Sequence, residues 1–291
     1  MKGSYIIKIH SQRVTYTLKL ERNITVICGD SATGKTTLIN HISNYEEYGN
    51  KSGVAIDSAK ACCVLRGKHW YDDLSRIKDS FVFIDEGNSF LNTVDFARAI
   101  SGTDNYYVLV TRENLHQLPY SVNSILELKR TTSRFKHTYN KTYPRYDCIH
   151  GFRNLLDNEE CFLTEDSNSG YDFFSYIANR HGINCLTSNG KSNIFNRLRE
   201  LGDSKAVVIA DGAAFGADMA DVYKYFKLHQ DSVLLYLPES FEWVILSSGI
   251  VNDPEIKAIL DSPSLYIDSR KFISWERFFR SEEHTSELQS L

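Results

Sequence analysis

Two glycines, a lysine and a threonine form the most specific chemical pattern in the chain. They lie in the segment GDSATGKT, residues 29–36, which has the spacing GxxxxGK[ST] and follows the apolar segment ITVIC. Glycines at both ends let such a loop turn its backbone N–H groups toward a phosphate, and the N-terminus of a following helix adds positive charge. The pattern predicts a nucleotide site in which Lys35 contacts the β- and γ-phosphates and Thr36 binds Mg²⁺. The residues expected to bind the nucleotide are Gly29, Asp30, Ser31, Ala32, Thr33, Gly34, Lys35, Thr36 and Thr37.

Two adjacent carboxylates, Asp85 and Glu86, follow the apolar segment SFVFI. An uninterrupted apolar segment of this kind is typical of a strand that is buried on both faces of a parallel sheet. We expect Asp85 to hold Mg²⁺ through its water shell and Glu86 to polarise the attacking water during hydrolysis. A solvated strand end is the alternative for any such pair.

A third apolar segment, YYVLV, ends before Thr111 and Arg112. This arrangement resembles several P-loop ATPases, which have at this point a polar residue that senses the γ-phosphate, and the resemblance would give Arg112 a catalytic role. A salt bridge in a surface loop is an equally good interpretation of Arg112.

More carboxylates follow the strands predicted in the second half of the chain. The segments ECFLTE, INCLTS, KAVVIAD and SVLLYLP alternate there with helix-forming segments. Such alternation builds a parallel sheet in which functional groups gather at the carboxyl ends of the strands. The acids at those ends are Glu165, Asp211 and Glu239.

Glu165 and Asp211 can bring a divalent cation to this edge of the sheet. Efficient phosphodiester cleavage needs more negative charge around one or two metals. The candidates for a further ligand are Asp166, Asp172, Asp218, Glu239 and Glu242. The alternative to an active metal site is a degenerate fold that is kept for its shape and its docking surface.

Residues 125–157 join the two halves and are rich in basic and aromatic side chains. Their alternation predicts an edge hairpin or an extended connector. They can face a nucleic-acid backbone, but we prefer the interpretation as a solvated linker. The residues concerned are Lys129, Arg130, Arg134, Lys136, Lys141, Arg145, Phe135, Tyr139, Tyr143 and Tyr146.

The composition describes a chain that can fold but has no basic character overall. Its 291 residues, 42% of them hydrophobic, suffice for two domains. A net charge of -4 argues against a general footprint for non-specific DNA binding. Six cysteines without a CxxC pair favour a reducing cytoplasm, and no apolar run approaches a membrane span. We expect a cytoplasmic protein without a membrane segment or an export signal.

The last twelve residues, RSEEHTSELQSL, resemble the translation of a sequencing-library adapter. We therefore exclude residues 280–291 from the fold prediction, and the natural chain would continue differently after Phe279. Removal of their one arginine and three glutamates changes the net charge from -4 to -2. A genuine polar, disordered tail is the alternative.

The first 130 residues or so resemble a minimal ATPase of the ABC type. The resemblance rests on a leading hairpin (SYIIKIH and RVTYTLKL), the GxxxxGKT loop, the Asp-Glu strand and the threonine-ended strand. The chain departs from that family because it has no LSGGQ-like signature and because Arg112 stands where the family usually has His.

The nucleotide is expected to be ATP rather than GTP. Guanine recognition in GTPases uses an NKxD motif, and neither Asn-Lys pair of the chain continues in that way: Asn50-Lys51 is followed by Ser-Gly and Asn140-Lys141 by Thr-Tyr. Similar chains sometimes carry a translation-initiation-factor label, which no residue here supports.

Residues 160–250 resemble the TOPRIM domain of topoisomerases, primases and overcoming-lysogenization-defect nucleases, in which an ABC-type ATPase precedes the TOPRIM domain. In that family a Glu after the first strand and an Asp-x-Asp after the third hold Mg²⁺. Glu165 and Asp211 match this pattern, and Ala213 replaces the second Asp. The resemblance implies a second metal site at Glu165 and Asp211.

These patterns together predict an α/β protein with two domains. We expect a P-loop parallel sheet with a leading β-hairpin at 1–128, a basic and aromatic linker or hairpin at 129–158, and a smaller doubly wound TOPRIM-like domain at 159–279. The expected function is Mg-dependent ATP binding and slow hydrolysis, coupled to a second domain that acts on nucleic acid. A non-catalytic ATP-driven switch that docks a partner protein is the alternative, and the oligomeric state, including a homodimer, stays open.

Overall fold

The computed structural model describes residues 1–29, 33–134, 137–146, 161–165, 168–250 and 252–285, with the backbone alone for 132–134 and 282–285. The strands are β1 (Tyr5–Ser11), β2 (Val14–Leu20), β3 (Ile24–Cys28), β4 (Val54–Asp57), β5 (Ala61–Val64), β6 (Ser80–Asp85), β7 (Tyr106–Val110), β8 (Ile125–Arg134), β9 (His137–Pro144), β10 (Cys161–Thr164), β11 (Asn184–Thr187), β12 (Ala206–Ile209) and β13 (Val233–Tyr236). The helices are α1 (Lys35–Tyr48), α2 (Trp70–Arg76), α3 (Val94–Ile100), α4 (Ser169–Arg180), α5 (Ile194–Leu201), α6 (Met219–Leu228), α7 (Phe241–Ser247), α8 (Pro254–Asp261), α9 (Pro263–Tyr266) and α10 (Trp275–Thr285). Within this part of the chain, no helix combines the length and the apolar character needed to cross a membrane.

Nine strands form one mixed sheet in the order β4-β1-β2-β9-β8-β3-β7-β6-β5. From β5 to β8 all neighbours are parallel, whereas β8 and β9 are antiparallel. β9 runs parallel to β2, and β1 is antiparallel to both β2 and β4. The parallel sheet expected for residues 1–128 is therefore only part of a larger mixed sheet, because the β8–β9 hairpin joins it to the leading hairpin.

Residues 125–134 and 137–144 of the basic and aromatic segment, which we expected at an edge or in a connector, form β8 and β9 inside this sheet, whereas its residues 135–136 and 147–157 lie outside the described residues. Leu128 and Asn140 are buried on one side, while Lys129, Tyr139 and Lys141 are exposed. A strand with one covered face shows this alternation whether it is central or at an edge. The alternation therefore predicted a hairpin but could not place it.

The two faces of the sheet are covered by different elements. Leu38 and Ile42 of α1 pack with Ile7, Leu18 and Phe83 on one face. On the opposite face of the parallel half, one buried cluster joins β3 and β7 to α5 and α6; its members include Val26, Leu109, Leu198 and Val222. The two halves of the chain therefore share a hydrophobic core.

The second sheet is parallel and has the order β11-β10-β12-β13, as the alternating pattern predicted. α4 and α7 pack on one side of it, and α5 and α6 pack on the other. The strand order reverses between β10 and β12, and open α/β sheets bind ligands at the carboxyl side of such a switch point. Glu165 follows β10 and Asp211 follows β12, so the fold brings both carboxylates to this place.

A buried ion pair connects the two halves. The guanidinium group of Arg22 donates to both carboxylate oxygens of Glu239 at 2.9 and 2.6 Å and lies 3.5 Å from the ring centroid of Trp275. The two paired side chains are only 10% and 14% exposed. Removal of one partner from such a pair leaves an uncompensated buried charge, so this contact constrains how the halves dock.

A close backbone contact lies at the same junction. The Gly216 N–H donates to the Tyr120 carbonyl at 2.9 Å, and a Cβ atom at Gly216 would lie 2.4 Å from the Tyr120 ring. Any larger residue at Gly216 would therefore separate the loop after β12 from the first half.

Candidate nucleotide site and second-domain cleft

One cleft of about 190 Å³ at the carboxyl ends of β6 and β7 collects predicted site residues from three separate segments. β7 lies between β3 and β6, and all three are parallel, so the residues that follow them meet at one edge of the sheet. The cleft is lined by Thr33, Gly34, Lys35, Thr36, Thr37, Asp85, Glu86, Val110 and Arg112. Asp30, Ser31 and Ala32 lie outside the described residues.

The two glycines of the motif adopt conformations that other residues avoid. Gly29 has φ 125° and Gly34 has φ 93°. Tyr16 donates its hydroxyl hydrogen to the Gly34 carbonyl at 3.0 Å, and a Cβ atom at Gly34 would lie 2.9 Å from that hydroxyl oxygen. Both the backbone angle and the contact with Tyr16 therefore require glycine at position 34.

Lys35 lies across the base of the loop. Its side chain is buried, and its Nζ donates to the Gly29 carbonyl at 2.7 Å and to Thr33 Oγ1 at 3.2 Å. The first turn of α1 itself contains no acidic residue that would occupy the positive end of the helix. A buried ammonium group at a 14-residue helix's N-terminus suits an anionic ligand.

The two carboxylates have distinct surroundings. Asp85 Oδ1 accepts a hydrogen bond from the Glu86 N–H at 2.9 Å. Burial, together with the negative charge of Glu86, raises the pKa of Asp85 above its ordinary value. Glu86 lies 3.8 Å from the Nε of Arg112, and since both side chains are about half exposed, this ion pair is weak.

A cation fits the donor set of this cleft. Mg²⁺ prefers hard oxygen ligands and is bound in nucleotide sites by few protein groups together with phosphates. The exposed Thr36 hydroxyl and the Asp85 carboxylate are donors of this kind, and both line the cleft. Thr36 and Asp85 are thus the residues that would hold the ion.

Thr111 has a structural role that the sequence did not indicate. It is 2% exposed, and its hydroxyl oxygen accepts a hydrogen bond from the Glu113 N–H at 3.0 Å. This contact shapes the turn that carries Arg112. The importance of Tyr16 was also missed, because an inward-facing tyrosine in an alternating strand gives no sign that its hydroxyl reaches Gly34.

A second cleft lies between the two halves, next to the GxxxxGKT loop. It contains Gly29, the polar residues that follow β7, and the glycine that contacts Tyr120. The described residues that line it are Val26, Cys28, Gly29, Arg112, Glu113, Asn114, Tyr120, Ile125, Arg145, Tyr146, Gly216 and Ala220. Arg112 lines both this cleft and the cleft that contains Lys35 and Asp85.

Glu165 and Asp211 line one cleft in the second domain, as the strand pattern predicted, and Glu276 of α10 joins them. The Asp211 N–H donates to Glu165 Oε2 at 3.0 Å. Asp172 is not among the described residues lining this cleft. Glu239 does not supply a third ligand, because both of its carboxylate oxygens accept hydrogen bonds from Arg22.

The other proposed ligands are also placed elsewhere or undescribed. Asp218 and Glu242 are not among the described residues that line this cleft, and Asp166 is outside the described residues. In the described part of the chain, no three His, Cys, Asp or Glu side chains are grouped so that they could hold a metal ion. Ala213 is 1% exposed, so the position of the missing Asp faces the protein interior.

Comparison with known proteins assigns no family to this fold. The chain matches no protein-family model, no curated protein and no solved structure. The resemblances to ABC-type ATPases and to TOPRIM domains therefore remain predictions from the residues, and the functional argument rests on the geometry of the clefts.

Proposed function

We propose that this protein binds ATP with Mg²⁺ and hydrolyses it slowly. One observation carries the proposal: Lys35 and Thr36, at the start of α1, line the same cleft as Asp85 and Glu86. A chance GxxxxGKT match in a surface loop would have no reason to lie beside a distant Asp-Glu pair at a strand end.

Each residue has a separate task in this proposal. Lys35 and the N-terminus of α1 bind the phosphates, and Thr36 and Asp85 hold Mg²⁺, which would neutralise phosphate charge during transfer. Glu86 orients and polarises water for attack on the γ-phosphate. Arg112, half exposed at the rim, contacts the γ-phosphate in place of its weak pairing with Glu86.

Calorimetric titration tests nucleotide binding directly. We expect saturable binding of ATP in the presence of Mg²⁺, weaker binding of GTP, and a loss of affinity when EDTA removes Mg²⁺. The absence of saturable ATP binding with Mg²⁺ present would overturn the proposal. Tighter binding of GTP would instead overturn the choice of base.

We further propose that the second domain responds to the nucleotide state through the segment that follows β7. Arg112 lines both the nucleotide cleft and the cleft between the domains. Tyr120, in the same connection, contacts Gly216 of the second domain. A movement of Arg112 toward the γ-phosphate would therefore change the cleft that Tyr120 and Gly216 also line.

We favour a switch over metal-dependent cleavage of nucleic acid by the second domain. Glu165 and Asp211 share a cleft, which supports a cation, but Glu239 is bound by Arg22 and Ala213 is buried. We expect no cleavage of labelled DNA or RNA in Mg²⁺ or Mn²⁺. The preference would be reversed if cleavage is observed and the Asp211→Asn variant abolishes it. The control variant Asp203→Asn, on an exposed turn, should then still cleave.

A further inference from the structure

In the part of the nine-stranded sheet formed by β1, β2, β9 and β8, the described residues leave one face uncovered. Ile7, Leu18 and Leu128 pack on the other face against α1. The residues that alternate with them point away from α1 and are exposed or half-buried. This outer face runs across β1, β2, β9 and β8.

Three lysines lie in a single row across this face. The strand register pairs Lys8 with Thr17, Thr17 with Lys141, and Lys141 with Lys129. We call these four residues the lysine row. Neighbouring strands are about 4.8 Å apart, so Lys141 lies directly beside Lys129 and roughly 10 Å from Lys8.

The pairing of Lys141 with Lys129 is unfavourable unless an anion is present. Like charges directly opposite each other on neighbouring strands destabilise a sheet. Lys129 also contacts Glu127 at 3.0 Å, but Glu127 is shared with Arg145 at 3.7 Å. The single carboxylate therefore does not neutralise the positive charge around it.

The local charge of the face is positive although the chain as a whole has a net charge of -4. Five basic side chains on the face and its border compare with three acidic ones. They are Lys8, Lys19, Lys129, Lys141 and Arg145 against Glu21, Asp57 and Glu127. The face is thus complementary to a polyanion.

Two exposed aromatic rings flank the lysine row on β9. Tyr139 and Tyr143 are each 40% exposed and lie on the same face as Lys141, one on either side of it. Four residues of a strand span about 13 Å, so each ring is within roughly 7 Å of the lysine along the strand. Tyrosine rings beside a basic track are the features with which proteins bind unpaired bases and the phosphates between them.

From this arrangement we infer that the outer face binds single-stranded nucleic acid. The lysine row contacts the phosphates, and Tyr139 and Tyr143 stack on bases. In a duplex the bases are paired and stacked inside the helix, so the tyrosine rings find no free base to stack on. The inference concerns the first half of the chain and does not depend on the nucleotide cleft or on Glu165 and Asp211.

Fluorescence anisotropy with a labelled oligothymidylate tests this site. We expect single-strand binding that weakens with salt between about 50 and 200 mM, and a weaker affinity for a duplex of equal length. The double variant Lys129→Gln/Lys141→Gln should show a weaker salt dependence: the negative slope of log affinity against log salt should become less steep by about 1.4, since each lost phosphate contact removes about 0.7. Tyr139→Ala and Tyr143→Ala should each weaken binding roughly five-fold or more.

Matched variants on other surfaces provide the controls. Lys68→Gln/Lys78→Gln makes the same charge change on exposed residues around α2, and Tyr176→Ala removes a ring that is 65% exposed on α4. Lys8→Gln, on a different strand, tests the row without changing the hairpin. No single-strand binding, equal affinity for the duplex, or equal losses in the control and row variants would each overturn the inference. Unchanged thermal unfolding of the variants shows that a loss of binding is local.

Discussion

Lys35→Ala is expected to lower the affinity for ATP at least 100-fold, to the point where calorimetry detects no binding. Lys35 Nζ lies between the Gly29 carbonyl and Thr33 Oγ1, at the start of the helix whose first three residues line the cleft. A hydrogen bond to a charged group contributes about 1.5–3 kcal/mol, and a phosphate-binding lysine makes more than one. Alanine removes these contacts and the positive charge together.

The chain contains a matched control for this variant. Gly190-Lys191-Ser192 repeats the Gly-Lys-Ser/Thr order in the second domain, but Cys185 stands where the first glycine of the motif would be required. Lys191 Nζ donates to the Ala214 carbonyl at 2.7 Å instead of lying across a loop of its own segment. Lys191→Ala should bind ATP as the wild type does. If the Lys35→Ala variant also binds ATP normally, Lys35 does not belong to the phosphate site and the proposed position of that site is wrong.

The gathering of the GxxxxGKT loop, Asp85 and Glu86 in one cleft could be predicted because the information for it is local. Glycine at positions 29 and 34 is needed for the backbone of the loop itself, and Asp85 and Glu86 follow an apolar strand that any reading of hydrophobicity reveals. The carboxyl ends of parallel strands then lie at the same edge of the sheet, so no further information is needed to bring these residues together. The same reasoning placed Glu165 and Asp211 in one cleft of the second domain.

Long-range pairings could not be predicted in this way. The four-residue strands β4 and β5 are too short for a clear pattern, and the insertion of β9 beside β2 depends on a register between residues 124 positions apart. Glu239 follows a strand just as Asp211 does, yet it pairs with Arg22, which lies 217 residues earlier. The role of Glu239 depends on how the two halves dock, and the sequence around Glu239 does not indicate this.

Ala213 shows a third kind of limit. A comparison with the Asp-x-Asp pattern treats this position as a missing ligand, whereas the structure places it in the interior, with its N–H donating to the Glu239 carbonyl at 3.2 Å. An ionised carboxylate at such a position would need a partner to offset its desolvation. The alanine is therefore a packing residue of this loop as well as a departure from the Asp-x-Asp pattern.

Glu86→Gln should keep ATP binding and lose turnover by about 10²- to 10⁴-fold, the range that a positioned general base contributes. Glutamine has nearly the same size, and the contact that it weakens, with Arg112 at 3.8 Å, lies between half-exposed groups and stabilises little. Steady-state phosphate release measures turnover, and calorimetry measures affinity. Glu113→Gln, which changes an exposed carboxylate of the neighbouring cleft, should retain both.

The same variant should change how Mg-dependent ATP binding responds to pH. Burial first, and the charge of Glu86 in addition, raise the pKa of Asp85, so the wild type begins to protonate this carboxylate, and to lose Mg²⁺ affinity, at a higher pH than an ordinary Asp. Removal of the Glu86 charge lowers the pKa of Asp85, and the acidic loss of affinity should move to lower pH. Turnover equal to the wild type would remove Glu86 from the role of base. A pH profile that does not move would instead separate Asp85 from the binding of Mg²⁺, even if turnover is lost.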